Sequence, residues 1–190
     1  MNSINDEIIK TIKETSNLIL NSKNLSEKIE KAINEIIKCF STGNKIIIFG
    51  NGGSAADAQH IGAEFIGRFQ KERKSLPAIA LTTDSSIITS LSNDYSYDII
   101  FSRQCESLVK EGDVVLGIST SGNSKNVEKG IITAKKMGAV TVGLLGGDGG
   151  TINNVTDISI IVQSTNTARI QEVHRVIYHI ICDIVENKST

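Results

Sequence analysis

From residue 4 to residue 41 the apolar side chains recur at helical intervals, and no Gly or Pro interrupts them. Ile4, Ile8, Ile12, Thr15, Leu18 and Ile19 fall on one stripe, and Leu25, Ile29, Ile33, Ile36, Ile37 and Phe40 on a second. This pattern predicts two amphipathic helices that cover a sheet or meet a partner subunit. A polar break at residues 21–24 separates them, with Asn24 and Glu27 as an Asn-headed capping box for the second. After Gly43 the texture changes. Short apolar runs at 45–49, 78–81, 114–118, 140–145 and 158–162 alternate with helical patterns at 54–68, 85–93, 99–110, 123–137 and 167–187. The runs are nearly continuous in hydrophobicity, as parallel strands covered on both faces are. The expected fold is α/β, a doubly wound parallel sheet of five strands, in which ligands bind beyond the carboxyl ends of the strands where strand order reverses.

Two strand-to-helix junctions are stripped of bulk. The first strand empties into Gly50-Asn51-Gly52-Gly53-Ser54, the third into Ser119-Thr120-Ser121-Gly122-Asn123-Ser124. The second junction reads as a phosphate seat: free N–H groups at a helix N-terminus carry partial positive charge, and glycine lets the backbone approach an anion. The hydroxyls of Ser119, Thr120, Ser121 and Ser124 add neutral donors. The same residue types also serve simply as turns and caps. The presence of two such loops shifts the balance toward one ligand approached from both sides. A third loop, residues 146–150, reads as a turn requiring positive φ rather than as a ligand contact. Gly50, Gly52 and Ala55 also satisfy a G-x-G-x-x-A dinucleotide fingerprint, but its acidic partner, Asp84, lies well beyond the usual interval of ~20 residues.

Composition removes several function classes. With 20 basic and 21 acidic residues, a net charge of −1 and 4% aromatic residues, the chain has no basic stripe interleaved with stacking rings, so nucleic acid is not an expected partner. No apolar run approaches the ~20 residues of a membrane span, and the first residues lack the basic and apolar regions of a signal peptide. Cys39, Cys105 and Cys182 are odd in number and lie in apolar or helical contexts, which suits reduced core residues of a cytoplasmic protein. At 190 residues the chain fits one domain, 1–190.

Chemistry concentrates on two helices. His60 and Glu64 lie four residues apart on the helix after the glycine loop, and Gln171, Arg175 and His179 follow one another at four-residue steps that turn only ~40° each on the last helix. Imidazole, carboxylate and amide groups on two helices suit a metal site or an acid/base pair, although any such pair in isolation is commonly a surface contact. His174, turned ~140° from His179, is expected to be structural. Arg68, one turn beyond Glu64, reaches a ligand or is solvated. Asp57 suits the positive end of its helix, and Asn93-Asp94 read locally as a cap or turn.

Taken together, Gly50-Asn51-Gly52-Gly53-Ser54, the run from Ala58-Gln59-His60 through Ala63-Glu64 to Gly67-Arg68, Phe101-Ser102-Arg103, residues 117–124, and Arg169-Ile170-Gln171-Glu172-Val173-His174 with His179 closely resemble the sugar isomerase (SIS) domain family. Within it they resemble the phosphoheptose isomerases, which convert sedoheptulose 7-phosphate to D-glycero-D-manno-heptose 7-phosphate. The resemblance covers nearly the whole chain. It implies a flavodoxin-like, five-stranded parallel sheet and a homotetramer with sites between subunits. It further implies one zinc ion per subunit among His60, Glu64, Gln171 and His179, with Glu64 and His179 moving protons. Asn51, Gly52, Gly53, Ser54, Glu64, Arg68, Asn93, Asp94, Ser119, Thr120, Ser121, Ser124 and Gln171 are then the sugar-phosphate contacts. Where some members carry an acidic residue before the Arg-Ile-Gln-Glu run, this chain has Ala168. The wider family also includes sugar-phosphate sensors and tetrameric adaptors that bind a replication initiator, for which the His60/Glu64/Gln171/His179 set has no use.

Overall fold

The five apolar runs become strands β1 (Ile46–Gly50), β2 (Ala78–Ala80), β3 (Val114–Ser119), β4 (Val140–Gly146) and β5 (Ile158–Val162) in the computed structural model, which describes residues 3–189. All pair in parallel, in the order β2-β1-β3-β4-β5, with Ile46 beside both Ala78 and Val114 and Val114 in turn beside Val140. β1 and β3 bear five- and six-residue burial patterns without an exposed position, so alternate side chains feed two separate cores. Ile46, Ile48, Leu116, Ile118 and Leu144 point to one face, Ile47, Phe49, Val115 and Leu145 to the other. Burying both faces removes roughly 1.5–3 kcal/mol worth of apolar surface per large side chain from water.

The first face is covered by α2 (Ser26–Ser41), α3 (Gly53–Ile66) and the long α8 (Thr167–Lys188). The second is covered by α5 (Ile100–Leu108) and α6 (Lys125–Lys136), where Phe49 and Phe101 stack with ring centroids 4.8 Å apart. α4 (Ser85–Asp94) leads into α5 through a short 3₁₀ turn, and its N-cap Asp84 accepts from the Ile87 N–H at 2.9 Å. Asp84 is therefore occupied as a helix cap, which removes the acidic partner that a dinucleotide fingerprint requires. All three cysteines are free and buried, and burial pushes the Cys105 and Cys182 thiols up to about 12 and Cys39 to about 11.

Three local expectations change. The Asn24/Glu27 capping box does not form: the chain passes from α1 (Ile4–Asn21) through a 3₁₀ turn at Ser22–Leu25 straight into α2, whose N-cap, Leu25, is itself αR with no side-chain bond. A capping side chain needs extended backbone at the cap, and here none occurs. The helix expected over 54–68 stops at Ile66, and a four-residue helix, α7 (Gly150–Asn153), follows the third glycine loop.

Candidate active site

Strand order reverses between β1 and β3, because β2 lies on one side of β1 and the next strand, β3, on the other. Both small-residue loops leave the sheet at that crevice. Gly52, at φ +55, caps α3, and Ser124 caps α6, neither with a side-chain hydrogen bond to its helix; within the first turns Ser54 N–H donates to the Asn51 carbonyl, Ala55 N–H to the Gly52 carbonyl and Val127 N–H to Asn126 Oδ1. The serines bond to one another instead. Ser119 Oγ, nearly fully buried, lies 3.1 Å from Ser124 Oγ and 3.5 Å from Ser121 Oγ while accepting from the Gly122 N–H at 3.1 Å. Thr120 is half-buried beside them, and Ser54 is buried in the first turn of α3.

An amide pair ties the two loops together. Asn51 and Asn126 exchange hydrogen bonds at 2.8 and 2.9 Å, and the Tyr97 hydroxyl donates to Asn51 Oδ1 at 2.9 Å. Asn51 is thus a brace between loops within the chain, and Asn126 is a loop residue that the sequence reading did not single out.

α3 and α8 run side by side, and together they assemble the polar cluster. At its near end the Gln171 amide presses on the glycine loop: a Cβ built at Gly53 would lie 2.4 Å from Gln171 Nε2, so the glycine leaves the space that this amide occupies. Seven residues on from Gly53 and eight on from Gln171, His60, Glu64 and His179 bring one ligand atom each within 4.8 Å of one another. His60 Nε2 is 2.8 Å from Glu64 Oε1, and the His60 and His179 rings meet edge-on at 5.2 Å. Burial lowers the pKa of His179 below the ordinary imidazole value, His60 lowers it further, and Glu64 opposes both. A neutral imidazole at neutral pH, able to ligate a metal or accept a proton, is the consequence.

Behind the cluster lies a network that sequence reading missed. Asp57, almost fully buried, accepts from Arg175 at 2.9 Å and from the Tyr178 hydroxyl at 3.2 Å, and that hydroxyl lies 3.1 Å from His60 Nδ1. Burial, then the Asp57 charge, push the Tyr178 phenol up to about 12. Asp57, His60 and Glu64 at i, i+3 and i+7 were one legible stripe, but Asp57 alone reads as a dipole residue. His174 is buried and bonds the Leu145 carbonyl at 3.0 Å, away from the cluster.

Other predicted contacts lie outside this constellation in the chain. Arg68, past the end of α3, is largely exposed and meets Glu72 at 3.8 Å. Asn93 and Asp94, exposed at the end of α4, bond each other at 2.9 Å. Ala168, exposed in the first turn of α8, offers no polar group.

A doubly wound sheet whose switch-point crevice is lined by serine hydroxyls and two helix N-termini defines the class of the SIS domains, and the family model of that description matches residues 10–146. A phosphoheptose isomerase of Geobacter sulfurreducens is 57% identical over 146 residues, 77% of either chain; one of Clostridium acetobutylicum is 49% identical over 180 residues, covering 95% of this chain and 92% of the relative. The solved structure of a phosphoheptose isomerase from Neisseria gonorrhoeae superposes with a TM-score of 0.92 at 37% identity, over 97% of this chain and all of that one. The chain belongs to the SIS domain family and, within it, to the phosphoheptose isomerases.

Proposed function

We propose that the chain is a ketose–aldose isomerase that converts sedoheptulose 7-phosphate to D-glycero-D-manno-heptose 7-phosphate in the cytoplasm, supplying heptose for bacterial lipopolysaccharide or capsule. The carrying observation is that the serine loop after β3 is tied through Asn126 and Asn51 to the glycine loop that opens α3, the helix whose His60 and Glu64 meet His179 of α8. From Ser54 to His60 is six residues, about 9 Å of helix rise, and to Glu64 about 15 Å. Such a separation suits a long sugar phosphate held at one end and transformed at the other, so that phosphate binding orients the distant carbons.

In the proposed site Ser54, Ser119, Thr120, Ser121 and Ser124, with the N–H groups of Gly52, Gly53 and the first turn of α6, hold the phosphate. Glu64 takes the proton from C1, beside the C2 carbonyl, which leaves a C1=C2 enediol. His179 carries the hydroxyl proton between O1 and O2, and Glu64 returns its proton to C2, so that the carbonyl now stands at C1. Positioned acid and base groups contribute roughly 10²–10⁴-fold each. The donor set of two imidazoles and a carboxylate fits one zinc ion per subunit, with Gln171 proposed as a fourth ligand. When bound, the ion supplies polarisation of an oxygen on the reacting carbons. Arg68, Asn93 and Asp94 add sugar contacts, and Asn51 acts through the loops it braces.

The whole chain serves as one SIS domain whose N-terminal helices meet neighbouring protomers in a homotetramer. α1 supports this, since none of its residues is buried and Ile4, Ile8 and Ile12 are 79%, 52% and 59% exposed along one stripe. Among the described residues no helix is long and apolar enough to cross a membrane. An isomerase assay on metal-stripped and zinc-restored protein tests the reading. Aldose formation from sedoheptulose 7-phosphate that falls on stripping and returns with zinc is expected; zinc-loaded tetramers that leave the ketose unchanged reject it.

A further inference from the structure

Resting on the zinc reading above, we infer that Tyr178 and Asp57 are positioning residues that present His60 to the metal through Nε2 and hold the ring against rotation. The inference follows from counting protons. The Tyr178 hydroxyl has one proton and meets three neighbours: Arg175 Nε at 3.0 Å, Asp57 Oδ1 at 3.2 Å and His60 Nδ1 at 3.1 Å. Arg175 can only donate, so it takes a lone pair of the phenolic oxygen. A carboxylate can only accept, so the phenolic proton belongs to Asp57. The remaining contact then requires a proton on His60 Nδ1, which donates to the tyrosine oxygen. The reverse assignment would set the Asp57 and Tyr178 oxygens against each other as two acceptors in a buried site, where an unmade hydrogen bond costs about 1–3 kcal/mol.

With Nδ1 donating to Tyr178, the nitrogen left to ligate a metal is Nε2, which lies 2.8 Å from Glu64 Oε1 and shares the cluster with His179. A divalent cation bound there would stand between these two atoms in the place of a proton. The ring is thereby fixed from behind by a buried tyrosine, itself fixed by a buried aspartate, while Arg175, 57% exposed, adds little of its own. Partners of this kind on a metal-bound imidazole typically carry 10–100-fold of metal affinity.

Competition of Zn²⁺ between the purified full chain and a chromogenic chelator tests this, with Tyr178→Phe removing only the hydroxyl and Asp57→Asn weakening the acceptor. The expected result is 10–100-fold weaker zinc binding in each. A second readout uses the wild type alone and survives any failure of a variant to fold. In the zinc-loaded protein a slowly exchanging downfield Nδ1–H resonance of His60 is expected, assigned among only three histidines. Its replacement by an Nε2–H signal, or zinc affinity in folded Tyr178→Phe within twofold of wild type, overturns the inference. Wild-type turnover of sedoheptulose 7-phosphate with no zinc uptake also overturns it, while leaving the isomerase reading intact.

Discussion

Glu186 shows how a single buried charge governs a segment next to the site. Its side chain, 1% exposed, accepts from the backbone N–H groups of Phe69, Gln70 and Lys71 at 2.7–2.8 Å and from Arg73 Nε at 3.1 Å. Arg73 in turn donates to the carbonyls of Glu64 and Phe65 at 2.8 Å each, satisfying the last turn of α3 on which Glu64 rides. Burial raises the carboxyl pKa, but the three N–H donors and Arg73 outweigh it, so the folded value lies below the ordinary 4.5. A depressed folded pKa means that the unfolded chain binds the proton first as the medium is acidified. The contribution is therefore complete above about pH 4.5 and is lost as pH falls through the lowered folded value. Urea unfolding at fixed protein concentration should show wild-type stability declining below pH 4.5, with a flatter decline in Glu186→Gln. At pH 7 that variant should be about 3 kcal/mol or more less stable, the usual cost of breaking a buried pair. Parallel pH slopes for the two proteins would remove Glu186 from this role.

At the scale of elements, what was legible was local. Strand, small-residue loop and helix follow each other directly along the chain, so the five strands, their parallel arrangement and both loops at the switch point could be read from periodicity and glycine placement. The His60/Glu64 and Gln171/His179 spacings were equally visible. What stayed hidden depends on partners brought from far away: Asn51 meets Asn126 across 75 residues, and Asp57 meets Arg175 and Tyr178 across 118 and 121. The third glycine loop is the instructive case. It was legible as a turn, yet its work is to buttress the serine loop: Ile152 N–H donates to the Gly122 carbonyl at 3.0 Å and Thr151 N–H to Asn123 Oδ1 at 3.1 Å. At Gly122, φ is +67 and an added Cβ would lie 2.2 Å from the Gly149 carbonyl oxygen. Backbone on both sides cannot step aside, so Gly122→Ala should displace the serine hydroxyls from their mutual bonds. Steady-state kinetics should then show KM for the sugar phosphate raised about tenfold or more, equivalent to ~1.4 kcal/mol of binding, with kcat changed less. An unaltered KM would dissociate this loop from phosphate binding.

On the scale of the whole molecule, two surfaces of the isolated chain are unfinished. One is the apolar stripe of α1. The other is Arg68, whose side chain is 60% exposed and whose Nε lies 3.8 Å from Glu72. Arg68 lies beyond the end of α3 at Ile66, whereas Ser54 lies in its first turn, so the two sit toward opposite ends of that helix. If the chain assembles as the proposed homotetramer, the same side chain lies on every protomer, and a neighbour's copy would be free to contribute to an adjacent site. This arrangement makes a quantitative prediction about mixing. His179→Gln and Arg68→Ala homotetramers should each be poorly active, since every site carries a lesion. When the two chains are co-expressed and assemble at random, a site is intact only where the cluster comes from an Arg68→Ala chain and the arginine from a His179→Gln chain, about a quarter of all sites for a cyclic pairing of protomers. Activity of purified mixed tetramers near that fraction of wild type would establish sites shared between subunits. Activity no higher than that of the parents would place Arg68 in the site of its own chain, because then no site in any mixture escapes both substitutions.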